Sequence, residues 1–123
     1  MSVPKKTTVW LYTCAKQPEQ DDAIERMKRE VEKQGVTVIG ISSDHERRIE
    51  PLSRPGIQDM LNAIREGKAG AVMMPGLHHI SRQTERILPV ITELQEQGTI
   101  IYAKDADAIP FLMHFRDKGG AVR

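Results

Sequence analysis

Several features that would place this chain quickly are missing from it. It has a single cysteine, Cys14, so an internal disulfide is excluded and a reducing compartment suits it. No segment approaches the roughly twenty apolar residues needed to cross a bilayer. Lys5 and Lys6 are not followed by the apolar core of a secretion signal. A cytoplasmic protein with no membrane partner is expected. An excess of charge is missing too: 18 Lys and Arg against 17 Asp and Glu leave +1. No global field draws the chain onto a polyanion, so any anion binding must be local. The two-plus-two spacing of a zinc site does not occur, and neither a metal nor a cofactor is expected. No DNA-recognition helix or zinc finger is visible.

What is present suits one folded domain over residues 1–123: 39% apolar and 28% charged residues are ordinary for a globular chain rather than a disordered one. The organisation is a strand-then-helix alternation. Thr8 to Thr13 is β-branched and aromatic and reads as a buried strand. Pro18 to Gln34 reads as a helix with Ile24, Met27 and Val31 on one face, stopped by Gly35. Val36 to Ile41 reads as a second strand. Ser42 to Leu52 is polar and charged and reads as a mobile loop. Pro55 opens a helix carrying Ile57, Met60, Leu61 and Ile64 inward and ending at Gly67. Ala71 to Met74 is a third strand, Arg82 to Gln97 a third helix closed by Gly98, and Thr99 to Ala103 a fourth strand. Three times a glycine ends a helix and a short apolar strand follows. That pattern predicts a three-layer α/β fold, with a mainly parallel sheet of four or more strands and helices on both faces.

In an open parallel sheet, ligands collect beyond the carboxyl ends of the strands. The segments there hold Cys14 and Lys16, then Arg47, Arg48 and Arg54, then His78, His79 and Arg82. Such an edge favours an anion, with phosphate the natural candidate. The plainer alternative is a set of solvated loop charges, partly paired with Asp44, Glu46 and Glu50.

Tyr12-Thr13-Cys14-Ala15-Lys16, Ser53-Arg54-Pro55-Gly56 and Leu77-His78-His79-Ile80-Ser81-Arg82 stand in an informative order. Over about residues 7–105 the chain resembles the catalytic domain of the serine site-specific recombinases, the resolvase/invertase family. The resemblance implies a resolvase-like fold and DNA strand exchange through a serine that attacks a DNA phosphate. Tyr12 matches the family tyrosine, and Arg54 and Arg82 match catalytic arginines. Cys14 and His79 stand where the family has arginines, His78 where it has an aspartate, and Lys16 where it has the nucleophile. Glu25 replaces a glutamine, and Arg26 matches. The family continues into a long helix that dimerises and grips DNA, and usually into a separate DNA-binding domain. Neither is expected in residues 1–123.

The resemblance implies a degenerate domain: Cys14, Lys16, His78 and His79 mark altered catalytic positions, and Arg54, Arg82, Lys16, Arg47 and Arg48 are the candidate phosphate contacts. Three functions follow. The first is a non-catalytic module that binds DNA weakly and without sequence preference, or binds a recombinase and regulates it. The second is a recombinase or nuclease with a rearranged site, in which Cys14 pairs with His78 or His79 as a thiol dyad; if the strand stays extended, Cys14 and Lys16 share a face. The third is an interaction domain unrelated to nucleic acid, binding itself or a partner through the apolar stretch Ile109, Phe111, Leu112, Met113 and Phe115.

Overall fold

A computed structural model describes residues 8–104. The apolar stretch at 109–115 lies outside them. The elements run β1 (Thr8–Cys14), α1 (Glu19–Gln34), β2 (Thr37–Asp44), α2 (Pro55–Arg65), β3 (Ala71–Met73), α3 (Thr84–Glu96) and β4 (Ile100–Tyr102), with 3-10 turns at Pro51–Ser53 and Leu77–His79. The strands form one sheet in the order β2-β1-β3-β4, and every pairing is parallel. The chain leaves β1 for one side of the sheet and later returns to the other side. The end of β1 is therefore the switch point, where an open sheet leaves a crevice.

β1 is buried on both faces, and its alternation divides the core. Val9 and Leu11 join Met27 and Val31 of α1 on one face. Tyr12 and Cys14 join Ile57, Met60, Leu61 and Ile64 of α2, and Ile87, Val90, Ile91 and Leu94 of α3, on the other. The sheet thus lies between one helix and two, as the alternation predicts. Each of the large α2 side chains contributes about 1.5–3 kcal/mol by leaving water. Gly35, Gly67 and Gly98 all adopt φ near +70° after their helices. At Gly35 that turn lets the backbone N–H reach the Glu32 carbonyl, which closes α1.

The structure corrects the second strand and the loop after it. β2 runs on to Asp44, and Ser42 and Asp44 are buried while Ile39 and Ile41 are exposed. The inward positions at this end of the strand are polar because each finds a partner. The Trp10 indole N–H donates to Ser42 Oγ at 2.8 Å, and the Ser42 hydroxyl donates to the Gly56 carbonyl at 2.6 Å. The segment that follows is anchored by the Pro51–Ser53 turn and by Pro51, which is buried. β2 also carries one extra residue, Ile39, at a bulge between the Val9–Val38 and Trp10–Gly40 pairings.

Gly40 is required by a neighbour rather than by its backbone angles. A Cβ there would sit 2.2 Å from the Trp10 ring. Gly40→Ala is expected to cost about 1–3 kcal/mol through the forced shift of the indole. Urea unfolding followed by fluorescence of Trp10, the chain's one tryptophan, checks this; an unchanged midpoint and emission maximum would contradict the contact.

Candidate functional site

The crevice is built by three segments: the end of β1, the stretch from the end of β2 to α2, and the turn after β3. Asp44, at the end of β2, is 9% exposed and both its oxygens are used. Oδ1 accepts the Gly56 N–H at 2.9 Å, which satisfies a donor in the first turn of α2. Oδ2 accepts the Tyr12 hydroxyl at 2.9 Å. The fit is close: a Cβ on Gly56 would come within 2.5 Å of Oδ2. Proline is tolerated at position 55 because that N–H has no helical partner.

Arg54 precedes α2 and is completely buried. Its Nε donates to the Ile49 carbonyl at 2.9 Å and its Nη2 to the Arg47 carbonyl at 2.8 Å. Nη1 donates to the His79 carbonyl at 3.0 Å and reaches the Tyr12 oxygen at 3.5 Å. The expected anion contact at Arg54 is thus an interior strut in this structure. A guanidinium supplies a planar fork of donors, and protein oxygens engage all three of its nitrogens. The charge is balanced at one remove, since Tyr12 lies between Arg54 and Asp44.

His79, also buried, meets the end of β1. Its Nδ1 accepts the Cys14 backbone N–H at 3.0 Å and lies 3.1 Å from Thr13 Oγ1. The expected thiol dyad would have needed the Cys14 side chain here. Instead the imidazole meets the Cys14 backbone, and the thiol packs in the α2/α3 core with no exposed surface. Burial raises the thiol pKa above its ordinary value, outweighing the pull of the Arg54 charge. Burial likewise pushes the Tyr12 phenol far above its usual range, against the lowering effect of the Arg54 hydrogen bond. Both groups are therefore held neutral.

The expected shared face of Cys14 and Lys16 is not found, because β1 ends at Cys14. The Ala15 N–H bonds to the Asp44 carbonyl at 3.0 Å, and Lys16 emerges into solvent. Arg47 is half-buried, with Nε on the Cys14 carbonyl at 3.1 Å. Arg48 is exposed and pairs with Glu46 at 3.2 Å, as the solvated-charge alternative has it. Glu50 pairs with Arg86 of α3. His78 is half-buried, its ring centroid 4.7 Å from that of His79. Arg82 is exposed between that turn and α3, and Arg26 lies on the exposed face of α1. The structure thus gathers Cys14, Arg47, Arg54 and His79 around one crevice and leaves Lys16, Arg48 and Arg82 on the surface. Asp44, Ser42 and Thr13 are members that sequence reasoning missed. Continuing the period-two pattern of β2 beyond Ile41 would have pointed to the first two. Among the described residues, no group of three or more His, Cys, Asp or Glu is placed to hold a metal ion.

A buried, neutral thiol is a poor nucleophile. Cys14 is expected to react with a thiol reagent at least ~100-fold more slowly in the native protein than in denaturant, because labelling waits for an opening event. Rapid stoichiometric labelling of the native chain at pH 8 would contradict the burial. The neutral thiol and phenol also set the sign of an alkaline transition. Their contribution is complete below the ordinary thiol range, about pH 8.5, and is lost as pH rises beyond it.

A family model described as the resolvase N-terminal domain matches residues 14–117. Among solved structures, the chain is similar to the N-terminal catalytic domain of TP901-1 integrase: 19% identity over 94% of this chain and 93% of that one, with a TM-score of 0.74. It is similar to the C-terminal catalytic domain of ISC1926 TnpA, an IS607-like serine recombinase, at 12% identity over 78% of this chain and 68% of that one, with a TM-score of 0.68. A serine recombinase from Sulfolobus solfataricus matches at 17% identity over 96% of this chain and 89% of that one, with a TM-score of 0.58. At these identities the structural likeness is one of fold. A search of the curated proteins finds no match. The family match covers most of the chain, and its sheet and helices have the architecture of these neighbours: the chain belongs to the resolvase N-terminal domain family.

Proposed function

We propose that this chain is a resolvase-type module that does not break DNA itself and acts as a regulator, through the DNA backbone or a recombinase partner. One observation carries the reading. Where the resemblance places the attacking serine, this chain has Lys16, exposed just beyond the end of β1. An ammonium has no lone pair with which to attack phosphorus. The surrounding groups support the same reading: the Cys14 thiol is enclosed in the core, and the Arg54 guanidinium is spent on protein oxygens. Groups of a catalytic unit act together, and losing several normally leaves no turnover.

Incubation with negatively supercoiled plasmid, followed by denaturation, tests this. The wild type is expected to give neither nicks nor a protein–DNA adduct. Lys16→Ser is expected to fold within about 0.5 kcal/mol of the wild type, since the position is exposed. It is expected to remain inactive, because Cys14 and His79 still occupy positions the resemblance assigns to arginines. An adduct formed by the wild type and lost in Cys14→Ala would overturn the proposal in favour of a rearranged nuclease.

Binding to duplex DNA is expected to be weak and blind to sequence, through Lys16, Arg47 and Arg82. With about three phosphate contacts, log affinity should fall against log salt with a slope of about −3. Lys16→Glu and Arg82→Glu should each lower the affinity measured by fluorescence anisotropy. Affinity that is indifferent to salt and to both changes would remove DNA as the partner and leave a recombinase.

A further inference from the structure

Arg47 is held at both ends. Its carbonyl accepts from Nη2 of the buried Arg54 at 2.8 Å, and its own Nε donates to the Cys14 carbonyl at 3.1 Å. The half-buried side chain thus runs from the segment after β2 to the end of β1. A guanidinium carries its other N–H donors on Nη1 and Nη2, in one plane with Nε. Among the described residues, nothing accepts from those two nitrogens. An arginine on open surface loses side-chain freedom when it grips an anion. Here a bond inside the fold has already removed much of that freedom.

The acidic groups of this segment are engaged elsewhere. Asp44 accepts from Tyr12 and Gly56, Glu46 pairs with Arg48, and Glu50 pairs with Arg86. The bond from Arg48 holds the Glu46 carboxyl below its ordinary range, and the Lys16 ammonium adds a weaker pull through space. Lys16 therefore stands near the same segment. Among the described residues, Lys16 and Arg47 are left at the mouth of the crevice with no carboxylate bonded to either. The Arg47 charge also falls on position 14: burial raises the Cys14 thiol, and Arg54 and, more weakly, Arg47 pull against it. Cys14 stands where the resemblance places an arginine. A guanidinium thus reaches the end of β1 after all, from the neighbouring segment.

We propose that Arg47 is the phosphate-binding fork of the crevice: its Nη1 and Nη2 edge takes two oxygens of one phosphate group, beside the Lys16 ammonium, in place of the guanidinium missing at position 14. The assignment rests on the proposed function's phosphate-facing edge and names the residue that makes the contact. It sets aside Arg54, whose nitrogens are all engaged by protein oxygens. Parallel N–H donors matched to two oxygens hold a phosphate more firmly and with more direction than a point charge does. Backbone phosphate in DNA and free inorganic phosphate share this chemistry, and the test separates them.

The full chain is titrated with inorganic phosphate at constant ionic strength and followed by NMR of its amide and arginine side-chain N–H signals. The Ala15, Lys16 and Arg47 amides and the Arg47 side chain are expected to shift together and saturate. Arg47→Lys keeps the charge and loses the fork, and should weaken binding at least about fivefold. Arg48→Gln, on a cation already paired, should stay within about twofold of the wild type. Equal affinity in the wild type and Arg47→Lys, or no saturable shift at these residues, would overturn the fork. If Arg47→Lys does not fold, the wild-type Arg47 side-chain signal decides: movement with phosphate supports the fork, and a fixed signal sinks it. A short DNA duplex is the second ligand. Phosphate binding that Arg47→Lys weakens, without duplex binding, keeps the fork and removes DNA as its source of phosphate. Duplex binding that Arg47→Lys leaves unchanged keeps the DNA reading and overturns the fork.

Discussion

The buried guanidinium of Arg54 is the constraint around which the crevice is arranged. A charge in the interior costs several kcal/mol unless its donors are met, and taking away one partner of such a group typically costs about 3–5 kcal/mol. Here the carbonyls of Ile49, Arg47 and His79 and the Tyr12 oxygen do the meeting. These four acceptors come from three pieces of the sheet's carboxyl edge. The segment after β2, the turn after β3 and the end of β1 are thus held in one arrangement by one side chain. Asp44 supplies the opposite charge through Tyr12 and at the same time receives the first turn of α2. The helix that delivers Arg54 is therefore docked by the carboxylate that balances it.

A second set of contacts supports the first from the side. Trp10 reaches over Gly40 to Ser42, and Ser42 donates to the Gly56 carbonyl. Both backbone polar groups of Gly56 are thereby taken by side chains of β2, the carbonyl by Ser42 and the N–H by Asp44. Such a junction leaves no room for a side chain at position 56. It links a half-buried indole on the flank of the sheet to the residue two places before Gly56, the buried arginine.

The architecture was legible in the chain because its signals are local. Helix-ending glycines, apolar faces at helical spacing and short β-branched runs each depend on a few neighbours, and all pointed to parallel βαβ units. The crevice was legible only as a location. Arg54 reads as a surface cation in the sequence, since nothing local announces three carbonyls converging on it from positions 47, 49 and 79. Ser42 and Asp44 were hidden for a related reason. Toward the end of β2 the polarity is inverted, with isoleucines outside and polar groups inside, so a reading based on hydrophobicity ends the strand early. Cys14 and Lys16, two positions apart, were expected to share a face. The bond from the Ala15 N–H to the Asp44 carbonyl marks where the chain leaves the strand and sends them to different environments.

The extra residue in β2 has a consequence for crowding between molecules. β2 is the outermost of the described strands on its side, and its exposed isoleucines would suit lateral zipping with a neighbouring chain. Ile39 breaks the even spacing of amide groups along that border and twists the strand locally. A passing strand then finds its rungs out of step after a few residues. Irregularity here guards against fibrous stacking without adding a single charge.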